Sequence, residues 1–250
     1  MSGIVWAFWS AVGVILYTFF GYPLLLAAAA RLRPRPHRQA PITPAVTILI
    51  PAYNEARVIE AKIENSLAQA YPSEKLDILV VADGSNDDTA ARAQKYARQG
   101  VRVLYEPARR GKIAAINRAM PWVKSEIVVF TDANAMLTEN AVAALVRHFA
   151  DPKVAAVAGE KRVAGGGEGL YWRYESYLKR LDSQLTSVMG AAGELFALRR
   201  DLFQPPALDS IIEDFVLSME LVAAGWRVIY EPAAVALEEE APSLEADWRR

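Results

Sequence analysis

Leu76-Asp77-Ile78-Leu79-Val80-Val81-Ala82 is a short, apolar, β-branched run, too short for a helix and suited to a buried parallel strand. It stops at Asp83-Gly84-Ser85, a turn, and Asn86-Asp87-Asp88-Thr89 then offers N-cap residues to a helix reaching Gln99. A carboxylate at the carboxyl end of a strand, ahead of a helix, stands where open α/β sheets bind ligands. The rest of the chain repeats this unit.

From Ala45 onward the pattern predicts strands over 46–50, 101–105, 126–130 and 154–158, with helices over 55–69, 111–120 and 138–149 between them. This βαβ rhythm implies an α/β fold: a Rossmann-like, mostly parallel central sheet with helices on both faces. After Gly159 the texture changes. Residues 165–169 read as a glycine-rich link, and 170–188 as a helix crowded at one end by Tyr171, Trp172, Tyr174 and Tyr177. A strand over 195–198, a helix opened by Ile211-Ile212-Glu213-Asp214 and a strand over 226–230 complete the pattern, before an acidic end.

The first 30 residues carry no charge, and Ile4 to Ala30 is long enough to cross a bilayer. Arg31, Arg33, Arg35 and Arg38 follow at once, which by the positive-inside rule places the remainder in the cytoplasm. A cleaved signal peptide needs a charged start and a shorter run, and neither is present. The expected organisation is a transmembrane anchor over 1–30, a basic, proline-rich, membrane-hugging linker over 31–44, and two halves of one domain over 45–159 and 160–250. The 250-residue chain has a formal charge of −1 and no cysteine, which excludes disulfides and thiolate sites and gives no reason to expect nucleic acid as partner.

Three carboxylates stand at comparable places. Asp83 and Asp132 each end a strand, and Asp214 opens a helix. Asp132-Ala133-Asn134 brackets a small residue with two oxygen-bearing side chains, a donor set that suits Mg²⁺ or Mn²⁺ shared with substrate phosphates. Asp and Asn also form ordinary strand-end turns. Two such ends in register on one sheet edge favour a ligand site.

The ordered motifs Ile50-Pro51-Ala52-Tyr53-Asn54-Glu55-Ala56, Asp83-Gly84-Ser85, Gly111-Lys112-Ile113-Ala114-Ala115-Ile116-Asn117, Thr131-Asp132-Ala133-Asn134-Ala135 and Glu213-Asp214 resemble the signature of glycosyltransferase family 2. The resemblance runs from Ala45 to Pro242 and is nearest to the membrane-anchored members that make polysaccharides and glycolipids. It implies a GT-A fold, with a nucleotide-binding half joined to an acceptor half. It further implies that Pro51, Tyr53 and Glu55 hold the base and ribose of a UDP-sugar, that Asp83 contacts the nucleoside, and that Lys112 lies near the donor. Asp132 matches the first aspartate of the DxD metal motif, with Asn134 as a candidate second ligand, and Asp214 matches the general base of the ED motif. Gly193, Glu194, Glu213 and Trp172 fall on the acceptor side. The activity implied is inverting transfer of a sugar from a nucleotide donor to a glycan or lipid-linked acceptor at the cytoplasmic face of the cell (inner) membrane, alongside envelope-biosynthesis partners.

The chain departs from the family in two respects. Asn134 replaces the second aspartate of DxD, and the QxxRW motif of processive synthases is absent, as expected either of a chain that stops before that segment and C-terminal membrane helices or of a non-processive branch. A GT-A-like nucleotidyltransferase would need a Gly-rich basic loop after the first strand, which Pro51-Ala52-Tyr53-Asn54-Glu55 lacks. A non-catalytic scaffold would be expected to have lost Asp83, Asp132 or Asp214. Arg109-Arg110 reads as a solvated pair, Tyr171-Trp172-Tyr174 as either a sugar-stacking or a packing cluster, and His37 and His148 receive no role.

Overall fold

The computed structural model describes residues 2–164, 169–191, 193–210 and 212–239. The glycine link and the acidic end of the sequence reading lie largely outside them. The chain opens with α1 (Ser2–Leu16), a π-helical turn over Tyr17–Gly21, and α2 (Tyr22–Leu32). Pro23 explains the widened turn: it has no N–H to donate, and its ring pushes away the carbonyl one turn back. The continuous helix Gly3–Leu32 is long and apolar enough to cross a membrane, and its Trp6, Phe8, Trp9 and Phe20 are exposed. Its second half is not bare. Leu26 and Ala30 are buried against Leu181, with Leu178 and Leu185 packed alongside.

The linker after Arg33 has no regular structure and is bonded to the globular part. Arg35 N–H donates to the Gln184 carbonyl at 2.9 Å, Arg38 N–H to Asp151 at 3.1 Å, and Ala40 N–H to the Arg147 carbonyl at 3.2 Å. The sequence reading, which gave this tract to the membrane surface, had no means of seeing these partners.

The globular part then runs β1 (Val46–Ala52), α3 (Ile59–Leu67), β2 (Leu76–Asp83), α4 (Thr89–Gln94), β3 (Val101–Glu106), α5 (Lys112–Ala119), β4 (Ile127–Phe130), β5 (Ala135–Leu137), α6 (Ala141–Val146), β6 (Val154–Ala164), α7 (Leu170–Leu185), β7 (Phe196–Arg199), α8 (Glu213–Ala223) and β8 (Arg227–Glu239). Among the described residues the strands form one sheet in the order β3-β2-β1-β4-β7-β6-β8-β5. The first four strands are parallel, as the βαβ pattern predicts; β7 enters antiparallel between β4 and β6, and β5 caps the far edge antiparallel to β8. The sheet is therefore mixed.

Both faces are covered. Ile48, Ile50, Ile78, Val80 and Val129 pack with Ile59 and Ile63 of α3 and Leu145 of α6. Leu49, Leu79, Val81, Val128 and Phe196 pack on the other face, with Ile116 of α5 and Leu217 and Leu221 of α8. Strands buried on both faces need continuous apolar runs, which is what the sequence of β1, β2 and β4 supplies.

Two boundaries differ from expectation for visible reasons. The helix expected from Glu55 begins at Ile59, because Asn54 takes a left-handed φ of 55° and the N–H groups of Glu55 and Ala56 go to Thr89 and Asp87 instead of a helix. The last strand does not stop at Tyr230. Its register with β6 jumps from Ala158↔Tyr230 to Glu160↔Val235, so a bulge around Pro232 carries it on to Glu239.

Candidate active site

The parallel strands β2, β1 and β4 end at one edge of the sheet, and the site is built there. Pro51 at the end of β1, Thr131 and Asp132 after β4, Lys112 and Ile116 of α5, Gly193, and Glu213, Asp214 and Leu217 of α8 line a single cleft. Six of the residues singled out by sequence, Pro51, Lys112, Asp132, Gly193, Glu213 and Asp214, are thus brought together from five separate stretches.

Lys112 is the electrostatic centre. Its ammonium lies 2.8 Å from Asp132 Oδ1 and 2.9 Å from Glu213 Oε1. Burial works against its charge, but Asp132 and Glu213 outweigh burial and hold its pKa above the ordinary lysine value. Its position follows from the turn before it. Gly111, with φ 92°, directs its N–H to Asp83 Oδ2 at 2.7 Å, and Arg110 N–H reaches the same oxygen at 2.8 Å. Arg118, one and a half turns along α5, closes on Asp83 Oδ1 at 3.1 Å. Asp83 is therefore buried beneath the loop, and in this structure its carboxylate organises the start of α5. Gly84 serves the same turn: at φ 69° a Cβ there would lie 2.4 Å from the Arg109 nitrogen.

Asp214 sits in the first turn of α8 beside Glu213. Burial raises its pKa above the usual aspartate value, Glu213 adds to the shift, and the Phe215 N–H opposes it. Gly193 faces it closely, since a Cβ at 193 would lie 3.2 Å from Asp214 Oδ2 and 3.6 Å from Lys112 Nζ. Glu194, next along, turns away and pairs with Lys161 at 2.6 Å.

At the β1 side, Tyr53 is exposed and Arg109 lies over its ring, 3.8 Å from the centroid. Arg109 is exposed, as the sequence reading had it, and is in addition a cation–π partner of Tyr53. Ser85 accepts the Asn54 N–H at 3.1 Å and Asn54 Oδ1 accepts the Asn86 N–H at 3.0 Å, tying the loops after β1 and β2 together. Glu55 is half-buried in that knot. Trp172 is not part of this constellation; it lies on α7, lining a different cleft.

Among the described residues no group of three or more His, Cys, Asp or Glu side chains could hold a metal alone. Asp132 lines the cleft, and Asn134, two residues on, is half-buried and outside the lining; both carry oxygen donors. That donor set fits a divalent cation whose remaining ligands are phosphate oxygens and water.

Sequence reasoning missed Lys62. It is fully buried in α3, and its ammonium donates to Thr131 Oγ1 at 2.9 Å and to the Ala135 carbonyl, holding both ends of the Asp132 loop from below. Burial lowers its pKa to about 7. The signal was present: Ile59, Lys62, Ile63 and Ser66 follow the i, i+3, i+4, i+7 stripe that faces the core.

Residues 47–205 match the pattern of Glycosyl transferase family 2, and the chain belongs to that family. A mannosyltransferase from Pyrobaculum calidifontis, solved with GDP-Man and Mn²⁺, superposes with a TM-score of 0.80 at 31% identity, covering 96% of this chain and 71% of that one. GalNAc-T7, solved with UDP, GalNAc and Mn²⁺, shares the fold at a TM-score of 0.65 and 19% identity, over 79% of this chain and 43% of its own. In sequence, the poly-beta-1,6-N-acetyl-D-glucosamine synthase of Staphylococcus aureus is 27% identical over 217 residues, 82% of this chain and 52% of that protein. The probable glycosyltransferase YdaM of Bacillus subtilis is 27% identical over 225 residues, 83% of this chain and 53% of that protein. The chain thus spans about half the length of these two relatives. The fold is GT-A.

Proposed function

We propose that the chain transfers a sugar, with inversion, from a UDP-linked donor to a glycan or lipid-linked acceptor at the cytoplasmic face of a membrane entered by Gly3–Leu32. The observation that carries this reading is the Lys112–Asp132–Glu213–Asp214 constellation at the strand ends, where a cation, a metal-type carboxylate and a carboxyl of raised pKa share one cleft. Asp214 takes the proton of the acceptor hydroxyl as its oxygen attacks the anomeric carbon. The bond from that carbon to the diphosphate breaks, and the nucleoside diphosphate leaves. Lys112 lies where the departing phosphate charge develops and stabilises it. A bound Mg²⁺ or Mn²⁺ would add charge neutralisation at the diphosphate, held by Asp132 with Asn134 beside it. Pro51, Tyr53 and Glu55 form the base and ribose side, and Asp83 acts through the loop it fixes. Gly193 leaves room for the acceptor against Asp214 with Glu213 beside it, while Glu194 is held away by Lys161.

The test is a thermal shift on the full chain in detergent with UDP or GDP, each with and without Mn²⁺, repeated on Asp132→Ala. Ligand at about a hundred times its dissociation constant stabilises by about 2.7 kcal/mol, roughly 5–10 °C for a domain of this size. A shift that needs nucleotide and Mn²⁺ together, and disappears in Asp132→Ala, supports the donor site. A larger shift with GDP would move the donor to a guanosine sugar, as in the Pyrobaculum complex. No shift with any nucleotide in a folded sample would sink the reading.

A further inference from the structure

A second, larger cleft of about 1060 Å³ lies between α7, β6 and β8, and it shares no lining residue with the first. One face of α7 forms its wall with Arg173, Ser176, Tyr177 and Arg180, at i, i+3, i+4 and i+7. Glu160 and Tyr230 lie opposite. Both are more than nine-tenths buried, at 9% and 4% exposure, yet Glu160 Oε2 and the Tyr230 hydroxyl have no hydrogen-bond partner. Two buried oxygens left unpaired cost stability unless something else completes them. Arg173 and Arg180 enter no ion pair among the described residues.

The cleft adjoins the apolar N-terminal helix. Tyr174, which lines it, donates its hydroxyl to the Thr18 carbonyl at 3.2 Å and lies 6.2 Å from the Phe19 ring. It also borders the active site, because Lys161 of its lining holds Glu194, the neighbour of Gly193.

We propose that this cleft binds a phosphate-bearing membrane lipid with a hydroxylated head group. Arg173 and Arg180 pair with the phosphate. Glu160 and Tyr230 hydrogen-bond the head-group hydroxyls, and the acyl or prenyl chain follows the surface of Phe19. Burial raises the Glu160 pKa, so its free oxygen is protonated more readily and opposes an anion less. That the bound lipid is the sugar acceptor rests on the glycosyl-transfer reading above; the binding itself does not.

The full chain in a zwitterionic detergent would be titrated with phosphatidylglycerol, phosphatidylcholine, decyl glucoside and inorganic phosphate, with bound molecules counted by native mass spectrometry. One phosphatidylglycerol per chain should bind at least about tenfold more tightly than phosphatidylcholine, consistent with charge-assisted pairing. Arg173→Ala with Arg180→Ala should abolish that preference; both residues are exposed, so the variant folds. Glu160→Gln and Tyr230→Phe should each weaken binding about three- to tenfold, while the UDP–Mn²⁺ thermal shift stays. Equal binding of the two phospholipids would overturn the proposal, as would parental affinity in the arginine variant. Preference for decyl glucoside regardless of the arginines would give the cleft to a neutral glycan. Displacement by inorganic phosphate alone at similar concentration would reduce it to an anion site. Loss of the UDP–Mn²⁺ shift in the parent chain would count against glycosyl transfer and leave the lipid result standing.

Discussion

His37 Nε2 lies 2.6 Å from His148 Nδ1, with the two rings stacked at 4.9 Å. His148 Nε2 is 2.7 Å from Glu231, a carboxylate that Arg147 also engages. With the His148 Nε2–H given to Glu231, its Nδ1 is the acceptor and His37 supplies the shared proton. The pair joins the linker after the membrane-type helix to the turn after α6, across 111 residues of sequence, and through Glu231 to the bulge of β8.

That arrangement makes stability depend on acidity. Burial lowers the His37 pKa to about 4, assisted by His148 and Arg227 and opposed by Asp151 and Glu231. The unfolded chain takes up this proton near pH 6.5, where the folded chain refuses it. The contribution is therefore intact above pH 6.5 and is lost as pH falls toward 4. Melting temperature against pH should drop more steeply over that window for the parent than for His37→Gln. Parallel curves would show that His37 is not held neutral.

Replacing Lys112 with Met leaves Asp132 and Glu213 without their shared cation. Each charge-assisted contact contributes about 1.5–3 kcal/mol, so transfer should fall by at least about ten- to a hundredfold. Nucleotide–Mn²⁺ thermal shifts should shrink in parallel. Unchanged turnover would remove Lys112 from the reacting centre.

Asp214→Asn keeps the shape and removes the base. Turnover should fall by about 10²–10⁴-fold while the nucleotide–Mn²⁺ thermal shift is retained. A variant that loses donor binding equally would place Asp214 in the donor site.

Lys62 titrates in the opposite sense to an ordinary surface lysine. The unfolded chain stays protonated to about pH 10.4, the folded ammonium only to about 7. The depressed folded pKa means stability grows as pH rises between those values. Lys62→Met, which removes that proton but keeps the volume, should flatten the rise on a chemical-denaturation series. It should also weaken Mn²⁺ activation, since the Thr131–Ala135 loop loses both anchors. Lys62→Arg cannot discharge and should destabilise the chain.

Local pattern made half the molecule legible. Asp83, Asp132 and Lys112 each stand at a strand end or helix start, and parallel strands place such ends together whatever the loops do. The entry of β7 antiparallel beside β4 is a choice among sheet edges that no local run of residues encodes. Nor is the His37–His148 contact local, since nothing near either histidine names the other. Arg109 is exposed, as read, and its contact with Tyr53 went unforeseen for a related reason, because Tyr53 sits on another loop. Lys62 is the instructive miss: its place on an apolar stripe was readable, and treating lysine as a surface residue concealed it.

The packing of Leu26 and Ala30 against Leu181 converts an anchor into a strut. A protein hung from a limp tether samples a hemisphere of heights and tilts above its membrane. Here the apolar rod is splinted to α7, the same helix that walls the second cleft. If Gly3–Leu32 spans a bilayer as proposed, the height of Asp214 above it becomes a constant of the fold, calibrated by helix length.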